Sequence, residues 1–212
     1  MDIVKKAPFP IWNSPRNITD QKECEVLTMQ PTFPGTTIET TSMAKGSSRI
    51  LFEGIFATGG ITLSQVSVMT GLEPYLIQNW VKRGFVSSPK NRVYTSEQFA
   101  RIIIINMLRE SLQIEKICNL IKVICGPTDS KSDDLISDDE LYHRYVDMIC
   151  DNSINLNDEE SVIKASKLAS KDFTENLPGA RKQLERILQI MLYAYAAAKL
   201  RALSENILST LQ

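Results

Sequence analysis

Between residues 61 and 125 short apolar clusters alternate with sharp punctuation, and their spacing predicts a run of compact helices. Thr62-Leu63-Ser64-Gln65 is a capping box: the Thr62 hydroxyl satisfies a first-turn N–H while Gln65 reaches back. The helix behind it turns Leu63, Val66 and Met69 inward and stops at Gly71, a natural residue just past a helix end. Pro74 suits the first turn of a second helix, where no N–H is missed. That helix runs to Arg83, stops at Gly84 and has Leu76, Ile77 and Trp80 to bury. Two short helices joined by a glycine-containing turn make a helix-turn-helix. Phe85-Val86 and Arg92-Val93-Tyr94 flank a Ser/Pro/Asn turn, which predicts a small β-hairpin. Thr95-Ser96-Glu97-Gln98 is a second capping box. Four consecutive isoleucines behind it, Ile102 to Ile105, predict a helix buried on more than one side. A further helix opens at Ser111 and closes at Gly126-Pro127.

Outside this stretch the pattern changes. Residues 1–48 are rich in Pro, Thr and Ser, with little periodicity, and predict an extended N-terminal arm. Phe9, Ile11, Trp12 and Phe33 argue that part of it docks. Residues 49–60 suggest a short helix ended by Gly59-Gly60. After an acidic linker (128–136), Ser137-Asp138-Asp139-Glu140 suggests a third capped helix start, and residues 158–170 another helix. The longest helix follows Pro178-Gly179. Its Leu184, Leu188, Met191, Tyr195, Ala198 and Ala202 alternate steps of four and three, a seam suited to packing on another helix or its own copy. The expected fold is therefore mostly α: an arm (1–48), a winged helix-turn-helix with a small β-hairpin wing (49–127), and an acidic helical C-terminal unit (128–212) available for dimerisation.

Charge is almost balanced overall, with a formal net charge of -1, but it is unevenly placed. Residues 61–128 carry 8 Lys/Arg and 4 Asp/Glu; residues 129–160 carry 2 and 11. Lys82, Arg83, Lys90 and Arg92 fall between Glu73 and Glu97 with no acid among them. Four cysteines (Cys24, Cys118, Cys125, Cys150) form no CxxC pair. Cys118 and Cys125 could share a helix face and recruit Cys150 or His143 as a thiolate metal sensor, but buried free cysteine is the commoner state. The sole histidine, His143, beside Arg144 in an acidic helix, is expected to be exposed. With no nucleophile elbow and no glycine-rich phosphate loop, an enzyme is not expected, and no cofactor or metal is called for. Met191, Tyr193 and Tyr195 could line an effector pocket; a packed core is the commoner use of such residues. No run of 18 apolar residues exists, so the expected location is the cytoplasm.

The order of residues 61–117 resembles the DNA-binding domain of the MerR-like winged helix-turn-helix regulators. The matching features are the Gly71 turn, a recognition helix ending Lys82-Arg83-Gly84-Phe85, the Arg92-x-Tyr94 of the wing, and the helix opened by "TSEQFARI". Closer still is the similarity to an uncharacterised MerR-like family of Gram-positive bacteria, known mainly as a domain of unknown function, over about residues 50–150. Trp80 stands where the recognition helix usually carries a tyrosine, and is expected in the core. Gln78 replaces a common arginine. The family's long dimerising coiled coil directly after the winged domain is absent. The resemblance implies a sequence-specific transcriptional regulator that binds double-stranded DNA as a homodimer. Gln78 and Asn79 are the base-reading candidates, with Lys82 and Arg83 about one turn on. Tyr75 is placed to touch a base or a phosphate, and Lys90 and Arg92 to hold phosphates with Asn91 in support. Tyr94 is placed to stack or to bond the DNA backbone. The rival reading is a protein-interaction module on the same scaffold, docking a partner through the acidic helices and the last helix.

Overall fold

The computed structural model describes residues 32–125, 135–150, 154–175 and 178–211, and these are mostly helical with one small antiparallel sheet. In chain order the elements are α1 (Ser47–Phe56), β1 (Ile61–Thr62), α2 (Leu63–Thr70), α3 (Pro74–Lys82), β2 (Val93–Tyr94), α4 (Ser96–Leu108), α5 (Ile114–Cys125), α6 (Asp138–Ile149), α7 (Glu159–Ala169) and α8 (Ala180–Ser209). The expected arm residues before position 32, including Phe9, Ile11, Trp12 and Cys24, lie outside the described residues. So does most of the acidic linker.

Local chemistry sets most helix ends. Both threonine capping boxes form, with Gln65 Oε1 accepting from the Thr62 N–H at 2.8 Å and Gln98 Oε1 from the Thr95 N–H at 2.9 Å. The third does not. The Ser137 hydroxyl donates to Asp139 Oδ1 instead of accepting from the helix, and Asp139 takes the Glu140 N–H. Ser111 lies in the turn that follows α4, its hydroxyl donating to the Leu108 carbonyl, and α5 begins only at Ile114.

The sheet differs from the expected hairpin. Val93–Tyr94 pairs with Ile61–Thr62, not with Phe85-Val86. The reason lies in where the backbone donors go: the N–H groups of Phe85 and Val86 both reach the Trp80 carbonyl (2.9 and 3.4 Å) and close α3. Gln98 Nε2 then donates to the Ser87 and Ser88 carbonyls, fixing the chain beyond them. What remains of the hairpin is its tip, where the Val93 N–H donates to the Lys90 carbonyl at 2.9 Å across a two-residue turn.

Helix α4 is the axis of the core. Ile102, Ile103, Ile104 and Ile105 are all fully buried, because α2, α5, α6 and α8 surround it. Burying four such side chains is worth about 1.5–3 kcal/mol each. The remaining side is closed by a strap, residues 33–37. Phe33 enters the core, and Tyr142 Oη donates to the Pro34 carbonyl at 3.0 Å. Asn106 Nδ2 donates both to the Gly35 carbonyl (2.9 Å) and to the Thr70 carbonyl (3.0 Å), tying strap, α2 and α4 at one point. Gly35 has φ +74° and lies so close to α4 that an added Cβ would sit 2.5 Å from the Ile103 carbonyl oxygen.

Helix α6 packs on α4 and α1, and its acids turn toward cations. Asp138 pairs with Arg101 of α4 at 2.7 Å, both side chains only 8 % exposed. Asp147 and Glu140 hold Arg49 of α1 at 2.7 and 3.1 Å, and Glu140 also holds Arg144. The acidity of this helix is therefore spent largely inside the molecule. His143, expected at the surface, is buried: its Nδ1 is 2.9 Å from Ser48 Oγ, and Phe52 meets its ring edge-on at 4.8 Å. Burial first, and then the Arg49 charge, depress its pKa below the ordinary imidazole value.

The expected seam of α8 is used within the chain through Tyr195, while Ala202 at its far end is exposed. Leu184, Leu188 and Met191 are buried against the preceding helices, and Tyr195 meets Tyr145 edge-on at 6.1 Å. Tyr193 points to solvent, so it does not converge with Met191 and Tyr195 on a pocket. From Lys199 to the end of α8, and on through Leu211, every residue is exposed.

Candidate nucleic-acid interface

Helix α3 is amphipathic, and its two faces are cleanly separated. Pro74 opens it, and Ile77 and Trp80 anchor it in the core, Trp80 retaining only 3 % exposure. Tyr75, Gln78, Asn79 and Lys82 occupy the opposite, exposed face. Glu73 stands at the N-cap, where its charge favours the helix dipole. The same charge repels a phosphate, so contacts from this helix fall to side chains further along.

Arg83 follows Lys82 but is engaged. Its Nη2 donates to Glu115 Oε1 of α5 at 2.9 Å, and its guanidinium lies 4.4 Å over the Phe85 ring. The Glu115 carboxyl is held below its ordinary pKa by its own backbone N–H and then by Arg83. Among the described residues, none of Lys82, Lys90 and Arg92 forms an ion pair, so three of the four clustered cations face water without a counter-charge.

The loop after α3 ends in a tight turn at Lys90-Asn91-Arg92-Val93, with φ of +53° at Asn91 and +63° at Arg92. Two successive left-handed residues define the turn whose twist suits a β-hairpin. Asn takes this conformation readily; Arg takes it at a cost of about 1–2 kcal/mol. Lys90, Asn91 and Arg92 are all exposed. Tyr94, one step further, is not. It is 3 % exposed within β2, where burial raises its hydroxyl pKa, and it presents no ring face on which a base could stack.

The structure thus gathers Tyr75, Gln78, Asn79 and Lys82 on one helix face and Lys90, Asn91 and Arg92 on one loop tip. It diverts Arg83 to α5 and withdraws Tyr94 into the core. The Arg83–Glu115 contact joins positions 32 apart in sequence, and only the fold brings them together. Cys118 is buried, which raises its thiol pKa, and Cys150 is half-buried with a thiol raised likewise. Among the described residues no group of three His, Cys, Asp or Glu side chains could hold a metal ion, and no helix is long and apolar enough to cross a membrane.

No curated protein and no solved structure matches the chain. A family of unknown function was expected over about residues 50–150, and such a family is found from β1 into α6. Its description names no DNA-binding role and no kinship with MerR-like regulators. Residues 61–145 match the family model described as a domain of unknown function, DUF1836.

Proposed function

We propose that this protein is a sequence-specific double-stranded DNA-binding regulator of the winged helix-turn-helix type, acting as a homodimer on a twofold-symmetric operator. The observation that carries the reading is the pairing of two exposed features in one stretch: the Gln78/Asn79/Lys82 face of α3 and the Lys90-Asn91-Arg92 tip. Gln and Asn offer paired donors and acceptors to base edges in a major groove, where a helix of this size fits. Lys82, Lys90 and Arg92 supply cations for flanking phosphates, which fix register and orientation. The left-handed Arg92 adds support, since residues held in costly backbone conformations cluster at functional sites. Twofold proteins suit palindromic sites.

Two measurements test the reading. Selection of bound duplexes from a random pool should return one sequence class with paired half-sites. Replacing Lys82, Lys90 and Arg92 together with Ala should leave the fold intact and abolish retardation of the selected duplex. Binding by the parent should weaken steeply with salt, with a log–log slope of about -0.9 for each phosphate neutralised. A triple variant that retards DNA as well as the parent would refute the interface. Failure of the selection, with no retardation of any duplex, would instead favour a protein-interaction module.

A further inference from the structure

The exposed side of α8 carries an apolar stripe distinct from the buried seam. Ile190, Tyr193, Ala197, Leu200, Ser204, Ile207 and Leu211 alternate steps of three and four, Leu211 standing in the turn just past the helix end. At about 100° per residue they lie on the face opposite Leu184, Leu188 and Met191. Each large apolar side chain from Leu200 onward keeps 58 % or more of its surface in water, and Ile190 and Tyr193 keep 41 % and 42 %. With Leu203 and Leu208 on its flanks, the stripe presents several hundred Å² of apolar surface. The largest patch on an ordinary monomer is about 300–600 Å², and one side of a standard interface about 800 Å².

We infer that this stripe is covered by the same stripe of a second copy, in an antiparallel helix pair centred on Leu200. Four observations select that occupant. The 3/4 alternation persists over six positions of α8, about 26 Å of helix, and reaches Leu211 just beyond it, which matches another long helix and exceeds what a short groove would need. The order of sizes reads the same in both directions: two large, one small, Leu200, one small, two large. Reversed about Leu200, Ala197 meets the partner's Ser204, Tyr193 the partner's Ile207, and Ile190 the partner's Leu211. Arg201 and Glu205 beside the stripe pair with each other at 2.8 Å, which balances the charge on that edge. Finally, the folded body lies at only one end of the stripe. Antiparallel pairing therefore seats each free helix end on the Ile190–Tyr193 side of the other body and aligns opposing helix dipoles favourably. Such an interface is isologous and closes at two copies.

The inference specifies the homodimer proposed above and rests on that twofold reading, but the pair forms without DNA, so the two can fail separately. Sedimentation equilibrium of the full chain, without nucleic acid, should give twice the 23.9 kDa chain mass. Leu200→Glu, at an exposed position, should give the single-chain mass with an unchanged circular dichroism spectrum. Under mild oxidation, Tyr193→Cys mixed with Ile207→Cys should yield a cross-linked dimer above the parent's background, and neither variant alone should. A monomeric parent would overturn the inference. So would cross-linking of Tyr193→Cys alone, which requires parallel helices.

Discussion

Arg92 carries two burdens whose effects on substitution have opposite signs. Its φ of +63° lies in a region that costs an L-residue about 1–2 kcal/mol and costs glycine almost nothing. Glycine also gives the unfolded chain more freedom, returning about 0.4–1 kcal/mol of that gain. Arg92→Gly should therefore stabilise the fold by about 0.5–1 kcal/mol. In a chain of this length that is a rise of about 1–4 °C in Tm, at roughly 2–4 °C per kcal/mol. The side chain itself is exposed and forms no ion pair among the described residues, so its removal loses no internal ion pair. On DNA the same change should remove one phosphate contact, lowering affinity and flattening the log–log salt slope by about 0.9. Arg92→Ala should show the same loss on DNA without the gain in Tm. Urea and thermal melts, together with fluorescence anisotropy on the selected duplex across salt concentrations, separate the two effects. A glycine variant that melts below the parent would refute the reasoning, because it would mean that the arginine side chain holds the turn.

Three further outcomes follow from the core. Arg101→Met should cost about 3–5 kcal/mol in urea unfolding, since it removes the cation from an ion pair whose side chains are both 8 % exposed; a cost below about 1 kcal/mol would show that water reaches the pair. Leu188→Asp should unfold the chain rather than dissociate it, because Leu188 is fully buried; its circular dichroism should collapse where that of Leu200→Glu does not. The depressed pKa of His143 means that below its unfolded value, about 6.5, the unfolded chain binds a proton the native state refuses. Stability should accordingly be complete above that value and fall as pH drops below it, and His143→Gln should flatten that part of a urea-midpoint series between pH 7.5 and 5.5.

The sequence was most legible where structure is decided within one turn of chain. Thr62 with Gln65, and Thr95 with Gln98, cap their helices because donor and acceptor are three residues apart. The isoleucine run implied burial on several sides, and α4 is surrounded. The sheet was harder, because the partner of Val93–Tyr94 is a two-residue strand some thirty positions earlier. Phe85-Val86 looked equally β-prone but had its N–H groups taken by Trp80. His143 was misplaced by counting charge along the chain: the acids beside it face Arg49, Arg101 and Arg144, and the ring lies inside. In α8, apolar residues repeat on two opposite faces, and periodicity alone cannot say which face the chain keeps for itself. In the candidate interface the exposed α3 residues followed from amphipathicity. The capture of Arg83 by Glu115 required the third dimension.

The strap at residues 33–37 bears on how this protein can be cut. A fragment limited to residues 61–145 would keep Asn106 and Tyr142 but discard the carbonyls of Pro34 and Gly35 to which they donate. It would also lose the α8 side chains that wall the isoleucine helix. Such a piece would be left with a wet groove along its centre, so a soluble minimal version should begin upstream of Thr32 and retain α8 at least through Tyr195.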